Sequence, residues 1–421
     1  MVGVLHPADL LAILLGLAVV IGCINYLWVG LPPAIGMLLG SLLFAAIIVS
    51  SDHILHLHIM RWFRGTFAAA NLPRFFLDGV LALLLFAGSL HVDIKELNRR
   101  RWLILLLATA SVILSTVIFG AGMWATFAAI GAAVPLAWCF VLGAILAPTD
   151  AVVVEHLLQS VPLPPGLRAA IVGESLFNDG AGVVLFLLAL GATQGEAVRL
   201  GHGVVFMALL REIVGGAALG LVTGGIAALL MRRVRDQGLQ LLISLALVLG
   251  TYRFATVLDL SGPIAVVIAG LRLGSRPSYV AMEPALRAAL VSFWRLLDQL
   301  LNVMLFLLIG LQLLALIIDP RALLPIVVAV PLAVAARAVS VGLPLLFTRE
   351  SLDDKVRDTA TLTWAGLRGG ISIALALTLP DTPWRVNLLV VTYAVVIFTV
   401  VVQGLTISRF LRTAYAEKKS G

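Results

Sequence analysis

Thirteen apolar runs divide the 421-residue chain, at roughly 9–29, 31–50, 74–91, 102–127, 136–158, 167–191, 204–231, 238–258, 260–274, 290–318, 322–347, 359–379 and 386–411. A helix crosses a hydrocarbon core in about 20 residues, whereas a barrel strand needs only about 9–11. Runs of this length exclude a closed β-barrel. Inside lipid each segment must satisfy its own backbone N–H and C=O groups, which leaves α-helices. The expected fold is an all-α polytopic membrane protein of about 13 transmembrane helices. Charged residues make up 12% of the chain, about half the share of a soluble domain. The ninth run is short for a span and is expected to tilt or to extend toward the residues before Ser261.

An odd number of spans puts the termini on opposite sides. Of the 29 Lys and Arg residues, 18 fall in segments on the side of the C-terminus, 6 on the other side, and the rest in or at the edges of spans. Basic loops mark the cytoplasmic face. This predicts a cell (inner) membrane protein with its N-terminus outside and its C-terminus in the cytoplasm. The net charge of +7 then reflects loops facing anionic headgroups, so the lipid bilayer is the expected partner and nucleic acid is not. Cys23 and Cys139 lie in apolar runs and read as small core residues, not as a disulfide or a metal site. No cleavable signal peptide, soluble domain or cofactor is expected. The loop Ser51 to Pro73 carries His53, His56 and His58. Metal binding or pH sensing is one reading of it, and an interfacial amphipathic segment is the preferred one.

The sixth run contains AAIVGESLFNDGAGVVLFLL, residues Ala169 to Leu188, with Glu174, Ser175, Asn178 and Asp179 near its middle. On a helix, residues four apart are neighbours, so the four side chains share one stripe. A charge at mid-bilayer costs at least ~2.5–3.5 kcal/mol on insertion scales and by default marks an ion or proton site. The alternative is a buried polar network that only locks helices together.

Two other runs contain helix breakers. Ala147-Pro148-Thr149-Asp150 interrupts the fifth, and Gly366, Gly369 and Gly370 interrupt the twelfth. Pro148 removes a backbone hydrogen bond and frees a carbonyl, with Asp150 beside it; a kink restarted by a capping Asp has the same geometry. The breaks correspond if residues 1–200 (spans 1–6) and 238–421 (spans 8–13) are inverted repeats joined by span 7 at 201–237. Paired interrupted helices in two inverted halves point to a transporter's midplane site.

Arg337 and Arg368 also lie within apolar runs. A guanidinium stays charged, so each needs a partner, and the buried acids counted from the sequence are three: Asp150, Glu174 and Asp179. Pairing Glu174 with Arg337 leaves Asp150 and Asp179 as the exchangeable site. Ser175 and a carbonyl near Thr149 add oxygens suited to a hard monovalent cation. Two desolvated carboxylates resist being charged together, so proton and cation compete for them.

The segments APTDAVVV, GESLFNDGAGVVLF, SGPIAVVIAGLRLG, FLLIGLQL and WAGLRGGISIALAL, in this order, resemble the monovalent cation/proton antiporters, in the branch of NhaP-type prokaryotic antiporters and animal sodium/proton exchangers. FAGSLHVDIKEL in the third run is a looser match. The resemblance spans nearly the whole chain. It implies Asp150 and Asp179 as ion-binding acids, Thr149 and Ser175 as accessory ligands, and Asn178 as the neutral member of an Asn-Asp pair associated with electroneutral exchange. It implies a structural ion pair of Glu174 with Arg337, Arg368 as the broken-helix arginine, sodium and protons as substrates, a homodimer, and spans four to six and eleven to thirteen as the moving core. The eighth run departs from the pattern at Arg253 and Thr256, and regulation through a long tail like that of the animal members is not expected.

Other functions fit less well. A sodium-coupled symporter needs an organic-substrate cavity for which no polar or aromatic cluster is apparent. A hydrolase needs HExxH or a serine in a strained turn with an in-span His. A channel needs a filter-like repeat.

Overall fold

The computed structural model describes residues 7–55, 79–90, 92, 94–150, 154, 163–194, 202–275, 283–312, 323–348 and 351–416. Their regular structure is entirely helical, with no strand among the described residues. In chain order the helices are α1 (Pro7–Ile24), α2 (Pro33–Leu55), α3 (Leu81–Leu90), α4 (Ile94–Arg99), α5 (Arg101–Ala108), α6 (Ala110–Ala129), α7 (Leu136–Ile145), α8 (Pro165–Thr193), α9 (His202–Arg233), α10 (Gln237–Val257), α11 (Gly262–Leu273), α12 (Pro284–Gln312), α13 (Leu323–Leu346), α14 (Leu352–Trp364), α15 (Gly370–Leu377), α16 (Arg385–Phe398) and α17 (Gly404–Ala416).

Among the described residues nine helices are long and apolar enough to cross a membrane, and three shorter apolar ones stand at Leu81–Leu90, Leu136–Ile145 and Gly262–Leu273. The expected count of thirteen therefore includes segments whose helices here are shorter than a full span. Of the His-bearing loop, residues 51–55 continue α2, and His56 and His58 lie outside the described residues.

Local chemistry sets the ends. Asp236 caps α10 by accepting from the Leu239 N–H at 2.7 Å, and Ser351 caps α14 through the Asp354 N–H at 3.2 Å. After α1 a π-helical turn, Asn25–Val29, leads to Gly30 at φ 71°. That left-handed residue lets the chain reverse into α2, and the Asn25 amide holds both the N–H and the C=O of Leu31.

Two apolar cores form. The larger joins α1, α2, α6, α7 and α8 to the second half of α12 and to α13–α17. The smaller joins α3, α9, α10 and α11 around Trp294 of α12. In the smaller one α9 meets α11 backbone to backbone. Gly216, Gly220 and Gly224 lie one turn apart and face the carbonyls of Ser261, Ala265 and Ala269, leaving no room for a Cβ. Small residues at such spacing permit close helix contact in lipid, where dispersion replaces the hydrophobic effect. Gly220→Ala is expected to push the helices apart, cost about 1–3 kcal/mol and lower the melting temperature in detergent. Gly225, one residue off the stripe, has open space beside it, so Gly225→Ala should leave melting unchanged or slightly raised.

Candidate functional site

Helix α8 runs unbroken through the polar stripe. Glu174, Ser175, Asn178 and Asp179 are all buried, none more than 6% exposed. Against them lie the two chain breaks. Helix α7 ends at Ile145 and the chain is non-helical through Pro148, Thr149 and Asp150; α14 ends at Trp364 and α15 begins at Gly370. The two non-helical stretches meet where the Asp150 N–H donates to the Leu367 C=O at 2.7 Å.

Arg368 joins the breaks. Its guanidinium donates to the carbonyls of Ala147 and Pro148, the second at 3.0 Å. These are carbonyls that the ended helix α7 leaves without intrahelical partners, and a cation is favoured at a helix C-terminus. The Arg368 N–H in turn donates to Thr399 Oγ1 at 3.1 Å, where a π-helical turn, Thr399–Gln403, separates α16 from α17. Gly369 permits this approach, because an added Cβ would collide with the Asp150 carboxylate.

Thr149 is held from α8 on three sides. Its N–H donates to Asn178 Oδ1 at 3.3 Å, its Oγ1 accepts from Asn178 Nδ2 at 2.8 Å, and its carbonyl accepts from the Ser175 hydroxyl. The carbonyls freed by the break are thus not vacant: Arg368 and Ser175 occupy them. Asp179, one turn beyond Ser175, has a buried Oδ1 with no hydrogen-bond partner among the described residues. Asp150, half-buried, and Asp179 line one small cavity together with Thr149, Asn302 and Gly369. The N-terminal residues of α15, Gly370 to Ser372, also line it, and no side chain caps that positive helix end. The cavity volume is about 50 Å³. A water needs at least about 10–15 Å³ measured this way, so the space suits a cation with a little water and not an organic solute.

Glu174 faces elsewhere. Arg337 donates to both of its carboxylate oxygens, the Nη2–Oε2 bond being 2.8 Å, and to the Leu362 carbonyl at 3.4 Å. Arg337 is 4% exposed, and Gly366 leaves room for its Nε. The two charges therefore pair with each other, and neither lines the cavity that Asp150 and Asp179 share. Arg253 is exposed on α10.

Sequence reasoning missed one acid. Asp298 of α12 is 8% exposed and Asn302, one turn on, is 7% exposed. Among the described residues the buried acids are Glu174, Asp179 and Asp298, with Asp150 half-buried, so Asp298 joins the three acids expected from the sequence. The signal was available in the spacing of Asp298 and Asn302 within FWRLLDQLLNVMLFLLIG, a polar pair on one helix face inside an apolar run.

Comparison with known proteins follows the same lines. The model of the sodium/hydrogen exchanger family, transmembrane region, matches residues 11–413. The chain is 37% identical to the Na(+)/H(+) antiporter NhaP of Pseudomonas aeruginosa, covering 98% of this chain and 99% of that protein. It is 32% identical to the Na(+)/H(+) antiporter NhaH of Halobacillus dabanensis over 79% of this chain and 81% of that one. The fold is similar to that of the sodium proton antiporter MjNhaP1 of Methanocaldococcus jannaschii, with a TM-score of 0.66 at 19% identity over 91% of this chain and 99% of that chain. Matching from end to end, this multi-pass membrane protein belongs to the sodium/hydrogen exchanger family.

Proposed function

We propose that this protein exchanges sodium for protons, with lithium and potassium as alternative cations, by competition at Asp150 and Asp179. The observation that carries the reading is the shared cavity: two acids and Thr149 around a space of about 50 Å³, with the Thr149 carbonyl held from behind by Ser175. Its relatives named Na(+)/H(+) antiporters support the choice of substrates. A sodium ion takes the carboxylate oxygens, the Thr149 carbonyl and the Ser175 oxygen, the serine hydroxyl turning away from that carbonyl as the ion enters. Both carboxylates charged in a desolvated site repel each other, and one cation or one proton relieves this. Asn178 spends both amide groups on Thr149, so it orients a ligand without adding a negative charge. A site loaded by either one cation or one proton makes the exchange electroneutral.

Arg368 ties the broken helices into a unit, and Glu174 with Arg337 anchors α8 to α13. The unit rocks against the body built on α9–α11, opening the site to one side and then the other. The same reading takes residues 1–200 and 238–421 as inverted repeats, the protein as a homodimer in the cell membrane, and the C-terminus as cytoplasmic.

Proton flux in everted membrane vesicles tests the proposal. Sodium, lithium or potassium is added with the membrane potential clamped by an ionophore. Cation-triggered alkalinisation that survives the clamp is the expected result, and sodium-dependent uptake of an organic solute without it would overturn the reading. Competition also sets a pH dependence. Each tenfold rise in proton concentration should raise the sodium needed for half-maximal rate by up to about tenfold. An affinity independent of pH would require separate proton and cation sites.

A further inference from the structure

A second, much larger recess of about 490 Å³, open on its outer side, lies between α1, the start of α2 and α12, lined by Leu15 and Val19 on one side and by Leu300 and Val303 on the other. Its walls are apolar, yet Asp298, Gln299 and Asn302 also line it. Asp298 and Asn302 are each more than nine-tenths buried, and the Asn302 amide donates to the carboxylate Oδ1 of Asp298 at 3.2 Å and to its carbonyl at 2.9 Å. Asn302 also lines the small cavity that holds Asp150 and Asp179. One amide side chain is therefore common to both spaces.

The cost of this arrangement argues for a use. Asp298 stands near the middle of the 29-residue helix α12, and an ionisable residue inside a span characteristically faces an ion pathway. Packing alone between α1 and α12 needs neither group. Carboxylate and amide oxygens also draw a cation and let it shed water in stages.

We propose that Asp298 and Asn302 form the polar step by which a monovalent cation passes between the α1/α12 cavity and the Asp150/Asp179 site. Asp298 attracts the partly hydrated ion into the larger cavity, and Asn302 hands it across the wall between the two spaces. This rests on the exchange reading above, and its test separates the two. If wild-type protein in proteoliposomes shows no sodium-coupled proton flux, the exchange reading fails. If it does, the comparison is with Asn302→Leu, Asn302→Ser and Asp298→Leu.

Asn302→Leu is expected to lower the exchange rate by at least about tenfold, the effect of a barrier higher by about 1.4 kcal/mol. Sodium should still raise its melting temperature as in wild type, because the binding acids remain. Asn302→Ser should recover much of the lost rate, and Asp298→Leu should raise the sodium needed for half-maximal flux. A wild-type rate in Asn302→Leu overturns the proposal. So does loss of sodium-dependent stabilisation along with the rate, which would make Asn302 part of the ion site and not a step toward it. If the leucine variants fail to fold, Val303→Cys with Cys23→Ser and Cys139→Ala gives an independent reading. A thiol there should react with a water-soluble cationic thiosulfonate and slow exchange. No reaction in lipid vesicles would mean a dry cavity and would overturn the route.

Discussion

Asp179→Asn is expected to reduce cation-driven proton flux to the level of empty vesicles while expression and membrane insertion stay near normal. The side chain keeps its volume within the α8 stripe and loses only its charge. Its Oδ1 is buried without a hydrogen-bond partner among the described residues, and a buried charge incompletely compensated costs stability. The variant should therefore melt no lower than wild type, and sodium should no longer raise its melting temperature. Strong sodium-driven flux in this variant would remove Asp179 from the mechanism. Asp150→Asn should give the same loss of flux, since either acid alone lacks the repulsion that makes cation and proton exclude each other.

The opposite pattern is expected at Glu174 and Arg337. Removing one partner leaves the other charged and buried, a cost of about 3–5 kcal/mol. Glu174→Gln and Arg337→Ala should each lower the melting temperature markedly and reduce the amount of folded protein. Any fall in flux should track the fall in folded protein. Combining Glu174→Gln with Arg337→Leu removes both charges and should restore much of the lost stability, because an apolar replacement of a buried pair is often close to neutral. Single variants as stable as wild type, or a double variant whose losses simply add, would mean that the contact seen between these side chains contributes little.

The difference between the acids was partly legible in the sequence. The stripe Glu174, Ser175, Asn178 and Asp179 is a matter of helical spacing, and α8 is continuous through it. The interruptions were legible too, because Pro148 and the glycines at 366, 369 and 370 act on their own backbone. What each interruption satisfies was not. That Arg368 reaches the carbonyls of Ala147 and Pro148, about 220 residues earlier in the chain, depends on how two distant segments cross. The same is true of Asn178, which reads as a neutral member of a pair and in the fold clamps Thr149 by both ends of its amide. Asp298 escaped notice for a different reason. With Arg295 and Gln299 nearby in sequence it reads as the polar fringe of a span, and only the packing of other helices against α12 shows it as buried.

The crossing of distant segments also has a consequence for how the protein is made. Glu174 and Arg337 are 163 residues apart, and synthesis proceeds at about 5–20 residues per second, so roughly 10–30 s separate them on the ribosome. During that interval the nascent chain has produced Glu174 but not the arginine that pairs with it in the finished fold. Each uncompensated acid opposes settling into lipid by at least ~2.5–3.5 kcal/mol. A chain halted before Arg337 therefore carries Glu174 in α8 without its partner, and the arrival of α13 supplies the charge that this helix lacks.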